Sequence, residues 1–467
     1  MSPRNYLLHT LMVASCILSP ASTLGDEEQN HTEKTEMRNA RMEWWREARF
    51  GMFVHWGLYS GLAGTWQGEK VVSAGAEWIQ QRARADTWIY AHEAVPHFRP
   101  TLDFAKEWAK LAKQAGCKYV VFTTKHHDGF SLHDSSITTY DAQDLIGRDL
   151  CKEITEACKA EGLKVGFYHS VIDWHHPQYD YVTGRSLPHP LSKKPSPNGP
   201  RNHELYIDYL HHQAKELMSN YGTVDIVWWD YSKNEAAGSF WRADDLMAMV
   251  REHQPNIVSN NRLYHSFKIK EADERLKAWK PEQGDFTTPE QHIPSTGLPG
   301  VDWEVCMTMN TTWGYSEHDQ TWKSDEVLIQ NLVDIVSKGG NYLLNIGPKG
   351  DGSIPEASIQ SMASIGRWME VNGESIYGTT ASPFGKPAWG RYTKTPEILY
   401  AHVFQWPEDG KLSITAEGIQ VSRAYLLADK DQDLQFEMTT DGPLFSLPEN
   451  APDNQVSVIA IEHEITK

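Results

Sequence analysis

Cysteine is scarce in this chain, with five residues in 467, too few for the dense disulfide frameworks that hold small secreted domains together. A surplus of positive charge is missing too. Lys and Arg number 44 against 62 Asp and Glu, a net charge of −18. A field of that sign repels phosphate backbones and anionic lipid surfaces, which argues against nucleic acid as a partner. No internal repeat or low-complexity tract is evident. The apolar run near the amino terminus, Tyr6 to Leu18, is too short to span a membrane.

That run reads as an address. Arg4 precedes it, small residues follow at Ala21-Ser22-Thr23, and acids begin at Asp26. The order predicts a secretory signal over residues 1–25, a polar linker over 26–41, and export to the periplasm or beyond the cell. A second reading takes Val13-Ala14-Ser15-Cys16 as a lipoprotein cleavage box that leaves Cys16 acylated and the chain tethered. Beyond the signal remain Cys117, Cys151, Cys158 and Cys306, without metal-like spacing and mostly in apolar contexts. Buried free thiols are expected. Asn30 and Asn310 begin Asn-x-Thr triplets, the acceptor pattern for N-glycosylation.

What is present is a globular composition, 40% apolar and 11% aromatic, with 18 tryptophans. From Met37 strand-like runs alternate with helix-like ones, the pattern of an α/β fold built as a (β/α)8-type barrel. Eight strands are expected: Gly51–His55, Tyr119–Thr124, Val165–His169, Ile226–Asp230, Ile257–Asn260, a weak one ending near Phe286, Trp303–Thr308 and Asn341–Ile346. Between them Phe104, Trp108, Leu111, Ala112 and Ala115 fall on one helical stripe stopped by Gly116, and Leu150, Ile154 and Cys158 repeat the device before Gly162. Ser324 is positioned to cap a further helix that ends near Gly339. After Asn372-Gly373 short β-rich runs take over: Ile398–Phe404, Leu412–Thr415, Val421–Leu427 and Val456–Ile461. The boundaries that follow are a barrel over 42–375 and a C-terminal β-sandwich over 376–467, the latter expected to serve packing. Pro188–Pro200 and Tyr264–Lys280 are expected as loops at the barrel mouth.

Barrel enzymes place their chemistry where strands end. Val224-Asp225-Ile226-Val227-Trp228-Trp229 is an apolar strand that stops on the carboxylate of Asp230, and Glu290 lies downstream in Thr288-Pro289-Glu290. Other strands end in His55-Trp56, in Lys125-His126-His127-Asp128, in Tyr168-His169 and in Asn260-Asn261-Arg262. An Asp after a strand ordinarily caps a turn, and a lone strand-end histidine is ordinarily structural. Several strands ending together in polar groups are not explained by packing, because each buried polar side chain needs its own partner. Indoles offer faces to the C–H surface of a sugar, and imidazoles and guanidinium serve its hydroxyls. The pattern points to a glycosidase.

At the level of motifs, Phe53-Val54-His55-Trp56-Gly57, Ala76-Glu77-Trp78, Thr124-Lys125-His126-His127-Asp128-Gly129-Phe130, Trp228-Trp229-Asp230, Asn261-Arg262 and Gly340-Asn341-Tyr342-Leu343-Leu344-Asn345-Ile346-Gly347-Pro348 together resemble the α-L-fucosidases of glycoside hydrolase family 29, over roughly Met42 to Phe384. The resemblance implies a barrel followed by a sandwich, and exo-acting release of α-linked L-fucose from a fucosylated oligosaccharide or glycoconjugate with retention of configuration. It implies no cofactor and no metal. Position by position it makes Asp230 the nucleophile and Trp228 a sugar-contacting aromatic. His55, Glu77, Trp78, His126, His127 and Arg262 become holders of the fucose hydroxyls and of the nucleophile, and Trp313 the ring against the fucose methyl. Where family members often carry two tyrosines this chain has Tyr168-His169, which leaves open which of the two contacts the sugar or Asp230. Glu290 is taken as the acid/base and Glu304 as its runner-up, with Glu282 and Asp285 behind them.

A double displacement follows, with Asp230 attacking the anomeric carbon while Glu290 protonates the departing oxygen and later activates water. Arg262 and the imidazoles should depress the pKa of Asp230, while the nucleophile's charge and partial burial should raise that of Glu290. Two rivals compete with this reading. One is a metal-dependent hydrolase built on His55, His126, His127 and Asp230, disfavoured because adjacent residues leave a strand on opposite faces. The other is a fucose-binding protein that has lost its chemistry.

Overall fold

The structure, a computed structural model, describes residues 24–180, 187–192, 201–233, 235–265, 283–382, 384–415 and 419–464. The predicted signal up to residue 23 with Cys16, most of both predicted mouth loops, and Glu282 lie outside these residues. Helix Leu24–Ala48 opens the described chain. Residues 26–41 therefore belong to a helix and not to the expected linker. The run from Asp26 to Ala48 has neither Pro nor Gly and is rich in Glu, Arg, Met and Ala, all good helix formers. Polarity alone does not separate such a stretch from a linker.

Seven parallel strands follow: β1 (Phe50–Val54), β2 (Tyr119–Lys125), β3 (Lys164–Ser170), β4 (Ile226–Asp230), β5 (Val258–Ser259), β6 (Glu304–Thr308) and β7 (Asn341–Ile346). Their order in the sheet is β5-β4-β3-β2-β1-β7-β6. The gap between β5 and β6 is closed by an irregular stave. Phe286 bridges Asn260 and Thr287 bridges Trp303, both in parallel, while Asp285 N donates to Ser259 O at 2.6 Å and Glu304 N to Thr287 O at 2.9 Å. The weak eighth strand of the sequence is thus present as single bridges. Two residues explain why no longer ladder forms. Pro289 has no N–H to give, and Gly284, at φ 124°, lies so near β5 that an added Cβ would stand 2.6 Å from Asn261 Cα.

Alternation along the strands builds two cores. Phe53, Val121, Tyr168, Ile226, Trp228, Val258, Phe286, Cys306 and Leu343 point inward and form one cluster with Met42, Trp45 and Ala48 of the first helix. Trp45 stacks on Phe286 with ring centroids 4.8 Å apart, and Asn341 Nδ2 donates to Trp45 O at 2.7 Å, so the end of the barrel where strands begin is plugged. Met52, Val120, Phe167, Val227, Trp229 and Leu344 point outward into the helix layer. Burial on both faces is why these strands read as continuous apolar runs, each such side chain contributing about 1.5–3 kcal/mol of transfer energy. The surrounding helices include Phe104–Gln114, Leu150–Ala160 and Asp325–Val336. Asp149 caps the second through Lys152 N at 3.0 Å, and Ser324 caps the third through Val327 N at 3.3 Å. Cys117, Cys151, Cys158 and Cys306 are all free and buried.

Beyond helix Glu356–Asn372 the chain forms a six-stranded and a three-stranded antiparallel sheet. Leu399, Ala401, Val403, Ile459 and Ile461 of the larger sheet face the smaller one. Their neighbours Tyr400, Val458 and Ala460 turn to the barrel cluster, where Trp368 Nε1 donates to Val456 O at 2.8 Å. A sheet packed on both faces is what made Val456–Ile461 legible.

Candidate active site

Because side chains alternate along β4, Trp228 and Asp230 share the inward face while Trp229 turns out to Met247. Asp230, at the strand end, keeps 13% of its side chain exposed. Tyr168 Oη donates to its Oδ2 at 2.7 Å, and Arg262 Nη1 donates to its Oδ1 at 2.8 Å. Burial pushes the carboxyl up, yet Arg262 first, then His127 and Tyr168, bring it below the usual carboxylate range. At neutral pH the charge responsible is Arg262's, since burial holds the His127 imidazole down at about 4.

Arg262 is the hub of the site. Its Nη2 lies 3.0 Å from Glu290 Oε2, its Nε donates to Thr288 Oγ1 at 2.7 Å, and its plane rests 4.4 Å from the Trp228 ring centroid. The guanidinium is 3% exposed, and the flanking carboxylates hold its proton more tightly than water would, against the cost of burial. One planar fork thus bridges Asp230 and Glu290, a geometry an ammonium could not supply. Glu290 remains partly open, at 26%.

Three imidazoles line the cavity beside them. His55 Nδ1 meets Asn345 Oδ1 at 2.8 Å, and His127 Nδ1 meets Ser170 Oγ at 2.7 Å. The Ser170 hydroxyl donates to Ile172 O at 2.8 Å, which assigns the ring proton to His127 Nδ1 and leaves Nε2 free to accept. Burial lowers His55 to about 4 and His126 well below its ordinary value, so these rings are neutral hydrogen-bonding groups at physiological pH. His126 and His127 sit with centroids 4.0 Å apart and both line the cavity. The opposite-face expectation fails because β2 ends at Lys125 and the turn beyond it escapes the period-two rule. Among the described residues no three metal-ligand side chains converge on an ion-holding geometry.

Glu77 is buried, its Oε2 accepting from Gly314 N at 3.0 Å. Burial raises its pKa. A Cβ on Gly314 would meet Tyr59 at 2.7 Å, so glycine is what lets this loop close on Glu77. Trp78 stands edge-on to His127 at 5.0 Å, and Trp313 lies 5.0 Å from His55. With Phe53, Tyr168, Trp228, Tyr231 and Cys306 these groups line one cavity, with the mix of aromatic walls and a few polar groups typical of small-molecule sites.

His169 does not join them. Tyr168 pairs in register with Trp228 and shares its inward face, so the next residue turns outward, and His169 is buried with Nδ1 2.9 Å from Thr124 Oγ1. Glu304 lies at the start of β6, a layer beneath the cavity, taking Tyr119 Oη at 2.5 Å and Trp228 Nε1 at 3.1 Å, and burial holds it up at about 7. Asp285 is consumed by Arg41, Arg251 and Ser259 N. The sequence reading passed over Tyr231, Phe53 and Cys306 in the lining, and Ser170 and Asn345 behind the histidines. Ser170 ends β3 and Asn345 is the penultimate residue of β7, so the strand-end rule could have found them. Tyr231 follows Asp230 directly and takes the uncommon φ of 81°, a local strain of the kind that collects at functional sites.

The sequence profile of the Alpha-L-fucosidase family matches residues 17–374. Tissue alpha-L-fucosidase of Homo sapiens is 31% identical over 444 residues, covering 88% of this chain and 85% of its own length. Alpha-L-fucosidase isoenzyme 1 from Paenibacillus thiaminolyticus superposes with a TM-score of 0.83 at 39% identity, over 92% of this chain and all of its own. An alpha-L-fucosidase from Bacteroides thetaiotaomicron, trapped as a covalent intermediate with 2-fluoro-fucosyl fluoride by a Glu-to-Gln substitution, gives 0.78 at 30% identity over 91% of this chain and 96% of its own. A barrel with a terminal sandwich, a carboxylate closing its fourth strand and this breadth of likeness lead to one conclusion: the chain belongs to the alpha-L-fucosidase family.

Proposed function

We propose that the cavity hydrolyses terminal α-L-fucosyl linkages with retention, Asp230 being the nucleophile and Glu290 the acid/base. The observation that carries this reading is the single guanidinium of Arg262 held between the two carboxylates, 2.8 Å from one and 3.0 Å from the other. In the first step an Asp230 oxygen bonds to the anomeric carbon as the bond to the aglycone oxygen breaks, and the Glu290 proton goes to that oxygen. In the second, a water oxygen bonds to the same carbon, its proton passes to Glu290, and Asp230 leaves as a carboxylate. Two inversions restore the starting configuration. Tyr168 and Arg262 fix the nucleophile's plane, the neutral imidazoles of His55, His126 and His127 are matched to sugar hydroxyls, and Trp313 with Phe53 offers an apolar wall to the deoxy carbon.

Incubation with 2-deoxy-2-fluoro-fucosyl fluoride tests both roles at once. Fluoride needs no proton to depart, so the Glu290→Gln variant should still form the ester, and because its second step lacks a base the adduct should accumulate on the peptide containing Asp230. Mass spectrometry of the digest reads it. An adduct on any other residue, or no adduct with intact fold, removes Asp230 from the role.

The charged start, apolar core and small-residue end of residues 1–25 support export of the enzyme through a signal. No described helix is long and apolar enough to cross a membrane. Amino-terminal sequencing of the secreted protein should find a start near residue 26, and a cytoplasmic chain retaining Met1 would refute export.

A further inference from the structure

Alternation along β4 turns Trp229 out and Asp230 in, so the next residue is due to point outward again. Tyr231 instead lines the cavity together with Asp230. Its own φ of 81° makes the reversal. The other described non-glycine residues with positive φ lie between 49° and 56°, close to the ordinary left-handed well, whereas 81° lies beyond it, in territory that suits glycine and strains a β-carbon. Both neighbours are pinned. Asp230 O accepts from Val171 N at 2.9 Å, and Ser232 Oγ accepts from Trp241 Nε1 at 3.0 Å while donating to Leu263 O at 3.0 Å. The surroundings therefore hold the strain in place. A turn alone would be served by glycine, so the tyrosine ring supplies something that the turn does not need.

What the ring meets is His127. Its centroid lies 5.1 Å from that imidazole, edge-on at 75°, and 5.6 Å from the Trp78 ring. Trp78 and Trp174 stand 5.0 Å and 5.6 Å from the same imidazole, so three aromatic rings box it. The bond from Nδ1 to Ser170 Oγ fixes one point of the imidazole and by itself leaves the ring free to swing about that contact. Such a swing would displace Nε2, the atom left to accept from a sugar hydroxyl, which lies 3.9 Å from Asp230 Oδ2. Of the three walls, Tyr231 alone is joined to the nucleophile by a single peptide bond. It ties the setting of the imidazole to that of Asp230.

We infer that Tyr231 is a positioning residue: its ring, turned inward by a strained backbone, holds His127 Nε2 in register with Asp230 and with the sugar hydroxyl it serves. The inference rests on the fucosidase reading of the cavity. Tyr231→Gly removes ring and strain together. For an aryl fucoside kcat/KM should fall about tenfold, the scale of a lost aromatic pair, while the urea midpoint holds because strain relief offsets lost packing. In a His127→Asn background the same substitution should change kcat/KM by less than about twofold, since the group it positions is gone. Tyr231→Phe keeps the ring and should recover most of the loss. A full tenfold loss in the His127→Asn background, a loss in Tyr231→Phe equal to that in Tyr231→Gly, or a lowered urea midpoint with kcat/KM unchanged would each overturn the role. Carbon-13 NMR of labelled histidine reads the same contact without turnover, the His127 signal being the one that His127→Asn removes. Burial holds this imidazole at about 4, and Tyr231→Gly should raise that value by opening the ring to water. An unchanged value would overturn the inference as well. If the wild type cleaves no fucoside, the fucosidase reading fails by itself, and the titration alone decides whether Tyr231 holds His127.

Discussion

Asp230→Gly should lower kcat/KM for an aryl fucoside by roughly 10⁴-fold, the scale on which removal of a covalent catalyst reads out. Asp230 makes its hydrogen bonds to Tyr168 and Arg262 at a strand end, with part of its side chain open to the cavity. Removing it spares the packed core. Arg262 keeps Thr288 and Glu290 as partners, and Trp228 keeps Glu304, so the walls should hold their shape around the space vacated by the carboxylate. A small anion can then enter that space and attack the face the carboxylate attacked. Added azide should restore turnover and yield fucosyl azide of β configuration, the product of a single inversion. Unchanged turnover in the variant would show that some other group bonds to the anomeric carbon, and rescue giving only α-fucosyl azide would contradict attack from the Asp230 side.

Much of this site was readable because burial writes itself into sequence. β4 and β7 are sandwiched between the barrel interior and the helices, so they appear as largely apolar runs whose ends coincide with the strands found. The chemical residues stand where those runs stop. What the sequence concealed falls under three physical causes. Register is a relation between strands: only the pairing of Tyr168 with Trp228 decides that Tyr168 and not His169 faces the nucleophile. Depth is hidden in the same way, for Glu304 and Cys306 share the inward face of β6, yet only Cys306 reaches the cavity while Glu304 serves Trp228 from below. Exposure hides the rest. Asp429–Asp433 is a strand made wholly of exposed polar residues, a charged sheet edge of the kind that resists further pairing, and its composition resembles a loop. The helix across 26–41 escaped because its sequence carries no periodic apolar face.

Arg262→Met should do smaller but still large damage by a different route, because it leaves two neighbouring carboxylates without their shared cation. Methionine fills the volume over Trp228 but offers no donors. With the 2.8 Å and 3.0 Å pairs gone, burial of Asp230 is opposed by the Tyr168 hydrogen bond without the Arg262 charge, and its pKa should rise. The acid limb of kcat/KM should move to higher pH, and activity at neutral pH should fall by roughly 10²–10³-fold as the nucleophile loses both charge and orientation. Stability should follow with a definite sign. In the wild type the folded-state pKa of Asp230 lies below its ordinary value, so the group stabilises the fold above the unfolded pKa of about 3.9, and that contribution is lost as pH falls through the folded value. In the variant the shift reverses, and a buried carboxylate that has lost its cation costs about 3–5 kcal/mol at neutral pH. Urea midpoints should therefore lie furthest apart near pH 7 and converge on acidification toward pH 4, where the variant's carboxyl is protonated at little cost. A gap that stays constant with pH would mean that Arg262 acts through packing on Trp228 and not through charge, and an unmoved acid limb would separate it from the ionisation of Asp230.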